Sequence, residues 1–206
     1  MPKEKVKPTF DLELELKNKG YSYVIGVDEA GRGPLMGPVV AAGVVIPEGF
    51  DTSEINDSKK LSSKKRDLLY NSIVEGCFWS CAFVGPETID EINIREATKL
   101  AMARAIEELG KRLYPVYALI DGNFVPELTF IPSWAVVGGD KLSVSIAAAS
   151  IIAKVERDRY ILSLHEKYPI YGWDKNKGYG TKAHRDALKL YGPTKYHRQS
   201  FGGVLN

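Results

Sequence analysis

The stretch that most restricts the fold is VVAAGVVI at residues 39–46, which contains no polar side chain. Successive side chains of a β-strand point to opposite faces of the sheet, so a strand that is apolar throughout must be buried on both faces. The preceding run YVIGVDE (23–29) is also β-prone and is separated from 39–46 by the Gly/Pro-rich turn at 31–34. Together they predict a β-hairpin at the centre of a covered sheet.

The rest of the chain alternates between short β-prone runs and helical periodicity. Further strands are predicted at 77–84, 116–121 and 134–140, and helices at 62–76, 86–110, 143–168 and 181–191. Ser62 or Ser63 can cap the first of these helices, and the third is expected to be amphipathic. This order predicts an α/β fold, a mixed five-stranded sheet flanked by helices. We expect a single domain over residues 1–206, in which 1–20 forms an N-terminal arm that is frayed or a short helix.

Composition excludes two classes of protein. Apolar residues make up 44% and charged residues 26% of the chain, which is ordinary globular usage and argues against wholesale disorder. No apolar stretch approaches the roughly 18 residues that a membrane span needs. The first twenty residues are charged from Lys3 onward and lack the apolar core of a signal peptide. We therefore expect a soluble cytoplasmic protein with no membrane partner.

The net charge of +2 conceals an uneven distribution. Residues 141–206 contain 12 Lys or Arg and 5 Asp or Glu, whereas residues 1–140 contain 16 and 21. A basic C-terminal third beside a more acidic remainder suits a protein that binds phosphates in one place and cations in another. Solvated helix faces with no partner would account for the same charges.

Four acids fall near the ends of predicted strands. Asp28 and Glu29 close the first strand, Asp121 closes 116–121 and Asp140 closes 134–140. Glycines beside such strand ends let several acids meet at one rim of the sheet, where ligands of open α/β sheets tend to bind. Each acid could instead cap a turn. Neighbouring strand residues face opposite sides, so the role of Glu29, direct or indirect, stays open.

Converging carboxylates repel one another and require a cation. Oxygen ligands without Cys or His favour Mg²⁺ or Mn²⁺ over zinc. Two such ions about 4 Å apart can activate water and stabilise the leaving oxygen in phosphodiester hydrolysis. The spacing of His165, His184 and His197 does not resemble a ligand motif, and we expect structural roles for His184 and His197.

The ordered motifs of this chain resemble those of the ribonuclease HII family. They are GVDEAGRGPLMGPVVAAGVVI (26–46), NDSKKLS (56–62), IDEINIREAT (89–98), LIDGN (119–123), GGDKLSVSIAAASIIAKVERD (138–158), KGYGTKAH (177–184) and HRQSF (197–201). The resemblance covers nearly everything from residue 23 to residue 201. Such an ordered series is far more specific than any one motif.

The resemblance implies a ribonuclease H-like fold and a two-metal endoribonuclease. The implied substrates are RNA–DNA hybrids and single ribonucleotides embedded in duplex DNA. The family pattern assigns the metal and the catalysis to Asp28, Glu29, Asp121 and Asp140. It makes Gly31, Arg32 and Gly33 the loop that senses the ribose 2′-hydroxyl, because glycines let the backbone approach a sugar closely.

The resemblance also identifies further substrate contacts. Tyr179 matches a tyrosine that stacks near the sugar beyond the cleavage point, and Lys59 and Lys154 match positions near the phosphates. Residues 169–206 are expected to form a small helical substrate-binding region, and the protein is expected to act as a monomer. The chain departs from the pattern at Met36, which replaces a small residue and is expected to fill a core gap. It also ends at Asn206, so duplex-binding surface supplied by extra C-terminal helices in longer relatives is expected to be reduced.

Three other functions remain open on the residues alone. A DNA-cutting nuclease of the same fold, such as a resolvase, would use the same acids but not the Gly-Arg-Gly loop or Tyr179. A non-catalytic nucleic-acid-binding module would need only the basic third, and would work equally well in EDTA. A structural protein with capped strand ends would need none of the motifs.

Overall fold

A computed structural model describes residues 7–205, so the first six residues of the predicted N-terminal arm and Asn206 lie outside it. The strands are β1 (Tyr23–Ala30), β2 (Val39–Val45), β3 (Phe78–Val84), β4 (Val116–Asp121) and β5 (Ser133–Val136). The helices are α1 (Asp11–Asn18), α2 (Ser63–Gly76), α3 (Pro86–Gly110), α4 (Val144–Lys167), α5 (Trp173–Asn176) and α6 (Lys182–Tyr191). Short 3₁₀ turns lie at Ser58–Lys60, Gly139–Lys141 and Pro169–Tyr171.

The five strands form one mixed sheet in the order β3-β2-β1-β4-β5. β1 and β2 form the predicted antiparallel hairpin, with Asp28 opposite Ala42, and β3 pairs antiparallel with β2. β4 and β5 are parallel to β1 and to each other. The predicted fold class, a mixed five-stranded sheet flanked by helices, is confirmed.

Helix α4 packs on the sheet at Gly26. A Cβ atom at Gly26 would lie 2.1 Å from the carbonyl carbon of Ser145 and 2.2 Å from the nitrogen of Ile146. Only glycine therefore lets the helix backbone touch β1. The first ten residues of α4, 144–153, are buried on every side, between β1 and β2 on one side and α2 on the other. The prediction of an amphipathic helix is wrong for this half, because the helix lies inside the core.

Helix α3 covers the opposite face of the sheet. Ala97, Ala101 and Ile106 of this helix are fully buried against β1 and β2. The prediction of one continuous helix over 86–110 is wrong at Asn93, where φ is 68° and ψ is 164°. The Asn93 side chain accepts hydrogen bonds from the backbone N–H of Arg95 (2.9 Å) and Glu96 (3.2 Å). It therefore caps a second helical segment.

Two ends of the chain attach to this framework. The short-helix alternative holds for the N-terminal region, since α1 packs against the sheet and Glu13 is buried. The C-terminal region forms a separate small core around Trp173, which includes the fully buried Met36, as predicted for a gap-filling residue. The division into one domain with an arm and a substrate-binding segment stays a prediction. Within residues 7–205, no helix is both long and apolar enough to span a membrane.

Candidate active site

A cavity of about 430 Å³ opens at the end of β1 and brings most of the predicted site residues together. Its lining includes eight of the ten: Asp28, Glu29, Gly31, Arg32, Gly33, Lys59, Lys154 and Tyr179. Asp121 and Asp140 do not line it, but the charge of Asp121 raises the pKa of Asp28, and that of Asp140 raises the pKa of Lys59. The eight lining residues come from four separate parts of the sequence, and the fold brings them together.

Asp28 and Glu29 lie inside β1 and not at its last residue. The strand runs on to Ala30, and both acids keep regular pairing with β2. Pairing with β4 ends at Val27, so the acids project beyond the parallel part of the sheet. Asp28 is 5% exposed, and Glu29 lies 3.4 Å from the guanidinium of Arg32. Both line the cavity, which leaves the direct or indirect role of Glu29 unassigned.

Asp121 is the last residue of β4, as predicted. The prediction that Asp140 closes a strand over 134–140 is wrong, because β5 ends at Val136. Gly138 then adopts a left-handed conformation with φ 68°, and Asp140 sits in the following 3₁₀ turn. The Gly139 N–H donates to Oδ1 of Asp121 at 2.7 Å. This tertiary contact folds the turn back and places Asp140 beside Asp121.

The acids lack sufficient compensating charge. Burial raises the pKa of Asp28 well above its ordinary value, and the charges of Glu29 and Asp121 raise it further. Burial also raises the pKa of Glu29, against the opposing charge of Arg32. The pKa of Asp121 is raised by burial and then by Asp140. Each raised pKa is in the direction expected of carboxylates whose charged form a nearby cation would stabilise.

Lys59 is a second cation beside these acids, in addition to Arg32. Its ammonium nitrogen lies 3.5 Å from Oδ2 of the buried Asp140. Burial opposes its charge, but Asp140, Asp28 and Asp57 together raise its pKa. The Asp57 side chain accepts from the Lys59 N–H at 2.9 Å and fixes the turn that carries Lys59. Lys154 also lines the cavity, paired with Asp158 at 2.8 Å.

The donor set fits a hard divalent cation in its chemistry. Carboxylate oxygens are the ligands that Mg²⁺ and Mn²⁺ prefer, and here Arg32 and Lys59 relieve only part of their mutual repulsion. Across residues 7–205, no three His, Cys, Asp or Glu side chains form a preformed metal cluster. The residues that would hold such an ion are Asp28, Glu29, Asp121 and Asp140.

Tyr179 lines the cavity beside the Gly-Arg-Gly loop. A Cβ atom built at Gly33 would lie 3.7 Å from the Tyr179 ring, which is ordinary contact. The Tyr179 side chain is 47% exposed, so one face is available to a ligand. The backbone of its loop is joined to the first motif, since the Leu35 N–H donates to the Gly178 carbonyl at 2.8 Å.

Two buried histidines hold the Tyr179 loop. Nδ1 of His184 donates to the Tyr179 carbonyl at 2.9 Å, which leaves its Nε2 to accept from the indole of Trp173 at 3.1 Å. His197 accepts at Nδ1 from the Thr194 N–H (2.9 Å) and so donates from Nε2 to His184 at 3.1 Å. Both rings are therefore neutral and structural, as the sequence predicted.

Known proteins of one family are similar to this chain over most of its length. The family model for ribonuclease HII matches residues 25–204. The chain is similar to ribonuclease HII of Caldicellulosiruptor bescii, with 50% identity over 93% of this chain and 92% of that protein. It is 54% identical to ribonuclease HII of Chlamydia trachomatis serovar L2 over 93% of this chain and 88% of that one. It also matches the solved PCNA:RNase HII complex from Archaeoglobus fulgidus, with 32% identity and a TM-score of 0.75. The match covers 87% of this chain and 95% of that one.

This chain belongs to the ribonuclease HII family. It is therefore an enzyme, a metal-dependent ribonuclease of type HII that acts on nucleic acid. The ribonuclease H-like fold expected from the sequence is confirmed by the solved complex.

The sequence did not identify several residues of this ribonuclease HII site. Ser58, Arg66, Ser150 and Arg157 also line the cavity. Arg157 and Arg198 are buried, and both bond backbone carbonyls around the Gly-Arg-Gly loop. Arg198 lies in the HRQSF motif, and its position there was the one feature of the sequence that could have indicated a role at the site. Arg157 was inconspicuous because an arginine in a helix is usually solvated.

Proposed function

We propose that this member of the ribonuclease HII family cleaves RNA–DNA hybrids within the RNA strand, and duplex DNA on the 5′ side of a single embedded ribonucleotide. The observation that carries the proposal is the single cavity in which Asp28 and Glu29 lie beside the Gly31–Gly33 loop and Tyr179. Acids alone would support any phosphodiester hydrolysis. The adjoining backbone loop and aromatic ring add a means of recognising a sugar.

The acids are proposed to hold two divalent ions, Mg²⁺ or Mn²⁺. Asp28 would contribute to both sites, Asp121 and Asp140 to one each, and Glu29 would support them. When bound, the ions supply activation of a water and stabilisation of the leaving oxygen. No side-chain nucleophile is needed, and the products are a 5′-phosphate and a 3′-hydroxyl.

The other residues are proposed to recognise the substrate. The backbone of Gly31, Arg32 and Gly33 bonds the 2′-hydroxyl that DNA lacks. The half-exposed ring of Tyr179 stacks near the following sugar. Lys59 and Lys154 contact phosphates and orient the duplex over the cavity. The monomeric state and the cytoplasmic location stay predictions.

The test compares cleavage of three duplexes of one sequence: all DNA, DNA with one ribonucleotide, and an RNA–DNA hybrid. Each is incubated with Mg²⁺, with Mn²⁺ and with EDTA, and the products are mapped at nucleotide resolution. We expect cutting of the second and third duplexes with either metal and none in EDTA. Asp121→Asn should lower the rate at least about a hundredfold, while Asp67→Asn, an exposed acid on α2, should not.

Each comparison of duplexes, metals or variants has an outcome that would contradict the proposal. Equal cutting of the all-DNA duplex would identify a general DNA nuclease, and cutting in EDTA would exclude a metal mechanism. Full activity of Asp121→Asn would remove that acid from the site. Binding without cutting under every condition would favour the non-catalytic alternative.

A further inference from the structure

Two arginines beside the cavity are buried without an acidic partner. Arg157 is 1% exposed and Arg198 is 0% exposed. Within residues 7–205, neither guanidinium forms an ion pair. Burying an unpaired charge costs free energy, so other interactions must compensate the two guanidinium groups. Burial, and then the nearby charge of Arg157, lowers the pKa of Arg198 to about 9.

Backbone carbonyls compensate the charge of Arg198. Its Nη2 donates to the Gly31 carbonyl at 2.6 Å, its Nη1 to the Arg32 carbonyl at 2.9 Å, and its Nε to the Gly37 carbonyl at 2.9 Å. Two of these three acceptors belong to the Gly-Arg-Gly loop. A planar guanidinium can make three such bonds at fixed angles, which an ammonium group cannot.

These bonds determine where the loop's N–H groups point. The loop's peptides are trans, since the one cis bond in the described chain is Tyr114-Pro115. In a trans peptide the C=O and the N–H point in opposite directions. Because the carbonyls of Gly31 and Arg32 point inward to Arg198, the N–H groups of Arg32 and Gly33 point outward. Neither N–H has a hydrogen-bond partner among the described residues, and both residues line the cavity.

Arg157 supports the same loop from the adjoining side. It donates to the carbonyls of Pro38 (3.2 Å), Met36 (3.2 Å) and Lys177 (3.0 Å). These acceptors link the first motif to the segment that precedes Tyr179. A Cβ at Gly31 would lie 2.1 Å from Nε of Arg157, so the glycine leaves room for the guanidinium.

We propose that Arg198 is a positioning residue, which turns the Gly31 and Arg32 carbonyls inward so that the Arg32 and Gly33 N–H groups donate to the 2′-hydroxyl oxygen of the substrate ribonucleotide. The inference rests on the proposed function. It adds that ribonucleotide recognition depends on a buried side chain that lies 166 and 167 residues along the sequence from the two loop carbonyls that it binds. A purely structural Arg198 would affect stability but not the choice between ribose and deoxyribose.

The test measures binding in EDTA to two duplexes of one sequence, one all DNA and one with a single ribonucleotide. The ratio of the two dissociation constants reports ribose recognition independently of cleavage. We expect the starting protein to prefer the ribonucleotide duplex. Arg198→Lys should reduce this ratio by about tenfold, with little change in affinity for all-DNA duplex. Ile106→Ala, at a buried position of α3 that packs against the sheet, should lower the melting temperature but keep the ratio.

A second variant covers the case in which Arg198→Lys fails to fold. Gly33→Pro removes one of the two proposed N–H donors directly and leaves Arg198 in place. It should also reduce the ratio. An unchanged ratio in a folded Arg198→Lys or Gly33→Pro protein would overturn the inference. So would a starting protein that cuts at the ribonucleotide without binding it preferentially. Absence of any cutting at a ribonucleotide would instead refute the proposed function.

Discussion

At the scale of single residues, Gly31 combines two demands that no other residue meets. Its φ is +93°, and a Cβ would lie 2.1 Å and 2.4 Å from Nε and Cδ of Arg157 and 2.8 Å from the Pro38 carbonyl. The strain and the collision are separable costs. Sequence predicted the need for a flexible turn here, but not the arginine beneath it, because that contact joins positions distant in the chain.

We expect Gly31→Ala to lower the free energy of unfolding by about 3 kcal/mol and to abolish cutting at a single ribonucleotide. Gly20→Ala is the matched control. Gly20 has φ +96° and no atom within 4 Å of its Cβ position, so only the backbone cost of about 1 kcal/mol remains. Urea denaturation and a cleavage assay measure both. Similar losses in the two variants would show that the collision with Arg157 is unimportant.

At the scale of secondary-structure elements, the sequence predicted the features that depend on neighbouring residues, such as helix caps and strand ends. Ser62, one of the two caps left open, accepts from the Lys65 N–H at 3.3 Å and begins α2. Strands β1 and β2 were predicted within one residue at their ends. The errors are at Asn93, at Asp140 and in the first half of α4, which is buried on every side and is not amphipathic. Asp140 depends on the bond from Gly139 to Asp121, a contact between separate segments that periodicity does not report.

Helix α1 shows the same limit, since its polar sequence left it undecided between an arm and a helix. Glu13 accepts from the Ser143 hydroxyl at 2.5 Å and the Ser145 N–H at 3.0 Å, at the start of α4. We expect Glu13→Ala to lower the free energy of unfolding by about 2 kcal/mol. Glu15→Ala removes only an exposed pair with Lys19 and should cost at most about 0.5 kcal/mol. Equal losses in urea denaturation would mean that α1 does not secure α4.

At the scale of the whole molecule, the basic residues of the C-terminal third fall into two groups, one buried and one available to a ligand. Of the twelve basic residues in 141–206, Arg157 and Arg198 are buried against carbonyls and cannot meet a phosphate. They connect the C-terminal core around Trp173 to the Gly-Arg-Gly loop. The stability of that core is therefore tied to the geometry of the candidate site. The remaining basic residues are the ones available to a duplex.

The neutral histidine pair makes this core sensitive to acid. Burial, and then the charge of His184, lowers the pKa of His197 to about 4, and burial lowers the pKa of His184. In the unfolded chain both imidazoles gain protons near pH 6.5. Between about pH 6.5 and about pH 4 the unfolded state thus binds more protons. The contribution of the two neutral imidazoles to stability is complete above this pH range and is lost as the pH falls through it.

The raised pKa values of Asp28, Glu29 and Asp121 act in the opposite direction, because these acids bind protons more readily in the folded state. A difference between variants isolates the imidazoles. We expect His197→Gln to be less stable at pH 7.5 and to lose less stability than the starting protein between pH 6.5 and 4.5. Ile106→Ala removes no titratable group, so its stability should lie below that of the starting protein by a constant amount across this range. Thermal unfolding across this range measures the difference, and parallel curves for all three proteins would exclude the pair as the source of acid sensitivity.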